Sequence, residues 1–96
     1  MTSLIESLED RLERLQFFEQ ILSANFTNKT DYDILHLLLQ NSLFGLEPLS
    51  AKEIANVLGK SYVTINNRLK QLAIQPLLFT NIPHKYDLDL NALNEI

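Results

Sequence analysis

The sequence contains no cysteine, no tryptophan and only two glycines. Without cysteine, disulfide bonds and thiolate metal sites are both excluded. Because the glycines stand alone at positions 45 and 59, no glycine-rich loop can hold a phosphate group. The two histidines, His36 and His84, are far apart and fit no metal-binding or catalytic motif. We therefore predict a protein without catalytic residues, metal or other cofactor, which is not an enzyme.

Long hydrophobic runs are also missing, so no segment predicts a membrane span. The first residues are acidic and amphipathic, which is not typical of a signal peptide. A chain of 96 residues, of which 46% are hydrophobic, suits one globular domain with a modest core. We therefore expect a cytoplasmic protein that has no membrane partner.

The formal net charge is −4, which is unusual for a protein that binds DNA, but the charge is unevenly distributed. Residues 1–24 carry five acidic and two basic side chains, for a net charge of −3. Residues 51–72 carry four basic side chains and one acidic side chain, for a net charge of +3. Any surface suited to a polyanion is therefore expected in this second segment.

Residues 50–72, SAKEIANVLGKSYVTINNRLKQL, predict two short helices joined by a tight turn. Ser50 and Glu53 have the spacing of a capping box. Gly59 suits the left-handed residue that ends a helix, and Ser61 can cap the next helix. The apolar residues at helical spacing are Ile54, Ala55 and Leu58 in the first helix, then Ile65, Leu69 and Leu72 in the second.

This stretch resembles the helix-turn-helix of the winged-helix superfamily, in the style of small bacterial, archaeal and phage regulators. Small Ala55 lets the second helix cross closely, Gly59 makes the turn, and Ile65 fills the angle between the helices. The resemblance implies a mainly α fold with a small β-hairpin wing, that is, a winged helix-turn-helix preceded by a long N-terminal helix. It also implies double-stranded DNA as the partner. An ordinary helical hairpin is the alternative interpretation.

The N-terminal segment predicts a helix from about Leu4 to Ala24, with Ser3 and Glu6 as a capping box. Its apolar residues form a heptad-like stripe that is wider towards the end. We predict that the second half packs on its own domain and the first half on a second copy; packing entirely on its own domain is the alternative. The dimerisation residues would be Ile5, Leu8, Leu12, Leu15, Phe18 and Leu22.

The next helix is predicted from about Asp31 to Phe44, with Thr30 and Asp33 at its cap. Apolar residues cover nearly all of its sides, so we expect it to be the central, buried helix. His36 in this helix is expected to be a packed or surface residue. We divide the chain into a dimerisation helix, 1–26, and a winged helix-turn-helix domain, 27–96.

After Leu72 the pattern changes from helix to strand. A short strand is predicted over Leu77 to Thr80, a turn over Asn81 to Lys85, and a second strand in which Tyr86, Leu88 and Leu90 alternate with Asp87 and Asp89. These two aspartates are expected to be solvated. Strand, turn and strand would form the wing that the resemblance implies. Residues 91–96 have room for one helical turn.

The outer side of the second motif helix, residues 61–73, is predicted to read the major groove. Asparagine and glutamine can pair with adenine, apolar side chains can meet a thymine methyl group, and basic side chains can contact phosphates. The DNA-binding candidates are Lys60, Ser61, Tyr62, Val63, Thr64, Asn66, Asn67, Arg68, Lys70, Gln71, His84 and Lys85.

The sequence thus predicts a sequence-specific, homodimeric, nucleoid-associated DNA-binding protein. It would serve as a small transcriptional regulator or as a plasmid or phage accessory factor. The alternative is a winged-helix module that binds a protein partner through its acidic N-terminal helix and does not bind DNA; the sequence pI near 5.0 favours this alternative.

Overall fold

The computed structural model describes residues 4–74, 78–79 and 84–95. These residues are mainly helical with a small antiparallel sheet, which confirms the predicted fold class at this level. The elements in chain order are α1 (Leu4–Asn25), α2 (Lys29–Leu43), β1 (Leu49–Ser50), α3 (Ala51–Leu58), α4 (Tyr62–Ile74), β2 (Leu78–Phe79), β3 (Lys85–Leu88) and α5 (Leu90–Asn94).

Helices α1 and α2 form an antiparallel pair because only three residues connect them. Near the middle of the pair, His36 Nε2 lies 2.8 Å from Glu19 Oε2, and the imidazole ring stacks on Tyr32 with 5.5 Å between ring centroids. His36 is therefore a packed side chain, as predicted. Within the described ranges, no helix is long and apolar enough to cross a bilayer.

Helix α2 begins two residues earlier than predicted, because its cap is Asn28 and not Thr30. The chain at Asn28 is extended (φ −72°, ψ 120°), and its side-chain oxygen accepts a hydrogen bond from the amide of Asp31 at 3.1 Å. Thr30 lies inside the first turn of the helix. An asparagine in extended backbone conformation satisfies a free amide of the first turn, so the helix starts directly after it.

The hydrophobic core is centred on α2, which packs against α1, α3, α4 and β3. This arrangement confirms the prediction of a central, buried helix. The second half of α1 contributes Phe18 and Leu22 to the same core. The division at residues 26 and 27 therefore separates a helix from the rest of one domain, and does not separate two cores. The fully buried side chains are Leu22, Ile34, Leu35, Leu38, Leu39, Ile54, Ile65, Leu69, Leu72, Leu88 and Leu93.

The start and end of α3 are built as the sequence predicts. Ser50 Oγ accepts a hydrogen bond from the Glu53 amide at 3.2 Å, and Glu53 Oε1 accepts one from the Ser50 amide at 3.1 Å. At the other end, Gly59 has φ +66° and the amide of Lys60 donates to the Ala55 carbonyl at 3.0 Å. These bonds complete a capping box and a glycine-ended C-terminus, which fix the short helix at both ends.

The sheet has the order β1-β3-β2, and both pairs of strands are antiparallel. Leu49 lies opposite Tyr86, and Leu78 lies opposite Leu88. Strand β1 was not predicted, since two residues carry no detectable period. Of the predicted strand 77–80, only residues 78 and 79 are described, and residues 81–83 of the predicted turn lie outside the described part.

The prediction that Leu90 continues the last strand is wrong. Strand β3 ends at Leu88, and Leu90 begins α5, with Asp89 as the N-cap. Asp89 Oδ1 accepts hydrogen bonds from the amides of Asn91 and Ala92, both at 3.1 Å. An aspartate at this position satisfies amides that the start of a helix would leave unpaired, so a helix can begin directly after it.

Candidate nucleic-acid interface

Helix α4 starts at a cap formed by Ser61 and Thr64. Ser61 Oγ accepts a hydrogen bond from the Thr64 amide at 3.2 Å and donates one to Thr64 Oγ1 at 2.8 Å. The Ser61 hydroxyl is thus used within the chain, and its role is to start the helix. The Thr64 hydroxyl keeps its own hydrogen, and its methyl group remains exposed with the residue.

One side of α4 is buried and the other faces solvent, as predicted. Ile65 and Leu69 have no exposed area and Leu72 is 1% exposed. On the opposite side, Val63 is 65% exposed. We call the exposed residues on this side the outward face of α4; they are Val63, Thr64, Asn67, Lys70 and Gln71.

A groove runs along one edge of α4, between the start of α3 and the hairpin. Its volume is about 210 Å³. Tyr62 and Asn66 reach it from α4, and His84 reaches it from the hairpin, where the backbone has φ +64°. The remaining lining residues are Ser50, Ala51, Lys52 and Tyr86. The structure therefore brings together three predicted site residues that belong to two separate segments of the chain.

Lys52 was not among the predicted site residues, although it lines this groove. The available signal was its position: it is the second helical residue after the cap Ser50, and its side chain is exposed. The capping box uses the amides of Ser50 and Glu53, so the amides of Ala51 and Lys52 remain at the same helix start. Cationic and amide donors at one place suit a negatively charged group.

Arg68 lies on the other edge of α4, where it is paired within the chain. Its Nε donates to Asp31 Oδ1 and its Nη2 donates to Asp31 Oδ2, both at 2.6 Å. These hydrogen bonds raise the pKa of the Arg68 guanidinium above its ordinary value. Asp31 occupies the Nε–Nη2 edge of the guanidinium, so a phosphate cannot bind bidentately at that edge.

The lysines of the region also differ in their surroundings. Lys85 Nζ lies 3.4 Å from Glu53 Oε1, so this predicted contact is already paired within the chain. Lys52, Lys60 and Lys70 make no ion pair with any residue that the structure describes. These three lysines are the cations that remain for a partner. Among the residues described, no group of three or more histidine and acidic side chains could hold a metal ion.

No known protein family, curated protein or solved structure matches this chain. The case for a function therefore rests on the geometry and charges of the chain itself.

The predicted dimerisation residues fall into two groups. Leu8 and Leu12 are 42% and 49% exposed, while Leu15 is half-buried. Phe18 and Leu22 are 6% and 0% exposed because they pack in the domain core, so their assignment to a dimer interface is wrong. The side chain of Ile5 lies outside the described part.

Phe17 is an exposed aromatic residue that the heptad pattern did not select. It is 51% exposed and packs edge-on against Phe18, with 5.3 Å between ring centroids. It lines a groove of about 390 Å³ between α1 and α5. The available signal was the Phe-Phe pair, since adjacent residues of a helix point about 100° apart.

Proposed function

We propose that this chain is a sequence-specific DNA-binding protein of the winged helix-turn-helix type. It would act in the cytoplasm, at the nucleoid, as a homodimer that regulates transcription or assists a plasmid or phage. In this proposal α4 enters the major groove with its outward face, and the hairpin stands beside the DNA backbone.

The element order from α2 to β3 supports the winged-helix part of the proposal. It runs helix, strand, helix, helix, strand, strand, and the first strand pairs with the last. Ala55 and Ile65 are 5% and 0% exposed, in agreement with their expected places at the crossing of α3 and α4. The left-handed Gly59 makes the turn between these helices.

The observation that carries the proposal is the composition of α4. The chain has 12 acidic residues, yet none lies between Tyr62 and Ile74. The outward face instead combines an apolar side chain, two amides and a hydroxyl able to pair with bases, and a lysine. A protein in contact with a DNA groove needs this combination, because carboxylates would be repelled by the phosphates while amides and methyl groups read base edges.

The first experiment is selection of bound sequences from a pool of random DNA duplexes, followed by a salt series on the enriched site. Lys52, Lys60 and Lys70 in each of two protomers give about six phosphate contacts, so log K should fall with log salt at a slope of about −5. A two-fold symmetric enriched site would support a dimer. Affinity that does not change with salt would contradict DNA binding.

The second experiment compares two variants on the outward face. Lys70→Gln should weaken binding to enriched and scrambled duplexes alike and reduce the salt slope by about one unit per lost phosphate contact. Asn67→Ala should cost about 1–3 kcal/mol on the enriched duplex and little on the scrambled one. If neither variant changes binding, α4 is not the part of the protein that reads DNA.

A protein-interaction module is the second candidate function, and the surface of α1 favours it. Leu8, Leu12 and Phe17 are exposed on α1. The same helix exposes three acids, Glu9, Asp10 and Glu13, which Arg11 and Arg14 only partly offset. Such a surface suits a partner with apolar anchors and a basic rim. This candidate replaces the first if the wild-type protein binds no duplex at low salt.

A further inference from the structure

We infer that Arg68 is a positioning residue for the outward face of α4, acting through Asp31. The pair would set the orientation in which Val63 and Asn67 meet the base edges of DNA. This inference rests on the proposed function and adds a residue that does not itself touch the ligand.

The contact between the two side chains is strongly directional. The guanidinium and carboxylate meet through two parallel hydrogen bonds, each 2.6 Å long. The side chain of Asp31 is 9% exposed and that of Arg68 is 35% exposed, so water is largely excluded from the acid and partly excluded from the base. A bidentate contact of this kind restricts angle as well as distance, which a single ion pair does not.

The acid is itself held in place by the most buried helix of the fold. Asp31 lies in the first turn of α2, and its amide donates to the side chain of the cap Asn28 at 3.1 Å. The start of a helix favours a negative charge, because the free amides give it a partial positive charge. Asp31 is therefore a fixed reference point at one end of the core.

Arg68 has a place on α4 from which it can control the outward face. It follows Asn67 directly and precedes Lys70 by two residues, so it lies about 100° around the helix from Asn67. The buried residues of α4 are aliphatic. Aliphatic contacts are non-directional, so they restrict rotation of the helix less than a bidentate hydrogen-bonded pair does. At a side-chain radius of about 5–6 Å, a reorientation of 20° moves the tip of Asn67 by about 2 Å. That displacement would break a hydrogen bond to a base.

The test measures two quantities. The first is the ratio of affinities for the enriched and scrambled duplexes, and the second is the slope of log affinity against log salt. Arg68→Lys keeps the positive charge but cannot make the two parallel hydrogen bonds. We expect it to lower the ratio of affinities for the two duplexes at least about fivefold, the effect of losing one well-placed base contact. The salt slope should not change, because Arg68 contacts no phosphate. Asp31→Asn should lower the ratio in the same way.

Two control variants separate positioning from stability and from charge. Ile34→Val loosens the packing of α2 without removing either partner of the pair, so it should lower the unfolding midpoint and leave the ratio unchanged. Lys70→Gln should lower the salt slope and leave the ratio unchanged. The double variant Asp31→Asn with Arg68→Lys should lose no more discrimination than either single variant, since both remove one interaction.

Two results would overturn the inference while the proposed function stands. An unchanged ratio in Arg68→Lys would make the pair a stabilising contact only. A salt slope that falls in Arg68→Gln by the amount seen for Lys70→Gln would make Arg68 a phosphate contact after all. If wild-type protein binds neither duplex at low salt, the proposed function fails and this inference fails with it.

Discussion

Helix α2 and the first half of α1 are both rich in leucine, but their leucines have opposite surroundings. Leu35, Leu38 and Leu39 in α2 have no exposed area, because four other elements pack around that helix. Leu8 and Leu12 in α1 are 42% and 49% exposed, and every described side chain from residue 8 to residue 14 is exposed. Leucine content therefore predicts that a helix will be covered, but it does not say whether its own domain or another molecule covers it.

The largest expected difference between the two helices is in folding stability. Leu38→Ala removes a buried side chain and leaves a cavity, so the free energy of unfolding should fall by about 2–5 kcal/mol. Leu12→Ala should change it by less than about 0.5 kcal/mol at concentrations where the protein is monomeric. Urea unfolding of both variants measures the difference. Equal losses would mean that the first half of α1 is as buried as α2.

The crossing of α3 and α4 is buried, as α2 is. Ala55 is 5% exposed there, so a larger side chain has no free space. Ala55→Leu should overpack the crossing and lower the free energy of unfolding by about 1–3 kcal/mol. Val57→Leu on the same helix is the matched control, since Val57 is 61% exposed. An unchanged unfolding midpoint for Ala55→Leu would contradict the helix-turn-helix assignment.

Whether the exposed first half of α1 binds a second copy of the protein is tested by measuring dimerisation. Replacing Leu8 and Leu12 together with aspartate should abolish a dimer, because it would bury charge between the two helices. The monomer should remain folded, with unfolding changed by less than about 0.5 kcal/mol per site. Sedimentation of this variant is compared with that of a variant carrying aspartate at Gln16 and Gln20, two exposed positions on the same helix. A wild-type protein that is monomeric at high concentration would refute dimerisation.

The smallest expected effect concerns pH at the start of α3. The backbone hydrogen bond from Ser50, with smaller contributions from the Ser50 side chain and Lys85, lowers the pKa of Glu53. A carboxylate with a lowered pKa in the folded state stabilises the fold above its unfolded pKa, and this contribution is lost as pH falls through the folded pKa. Wild-type protein should therefore lose stability in acid more steeply than Glu53→Gln. If the stabilities of the two proteins fall in parallel as the pH is lowered, the charge of Glu53 does not stabilise the fold.

Features that depend on neighbouring residues could be predicted from the sequence. The capping box of Ser50 and Glu53 and the turn at Gly59 involve residues at most five apart, so the sequence contains all the partners. The same reasoning failed at Thr30, where a threonine and an asparagine two residues apart compete for one cap. It failed at Leu90, where apolar alternation continued past a capping aspartate.

Features that depend on distant residues could not be predicted. Asp31 and Arg68 are 37 positions apart, and nothing in the sequence distinguishes an arginine that binds phosphate from one that binds an internal acid. The burial of Phe18 and Leu22 likewise depends on where α2 runs across α1. The groove beside α4 combines residues of four elements, so it is the fold that brings Lys52 close to Tyr62 and Asn66.

The sheet and α3 share Ser50, which ends β1 and caps α3. Ser50 lies opposite Lys85 in the sheet, and Lys85 forms an ion pair with Glu53, the other half of the same cap. A substitution at one of these three positions changes the surroundings of the other two, so their effects should not add. Over evolution, the three residues are therefore expected to change together. Lineages that alter the hairpin should carry compensating changes at the start of α3, and homologous sequences should show these positions changing together.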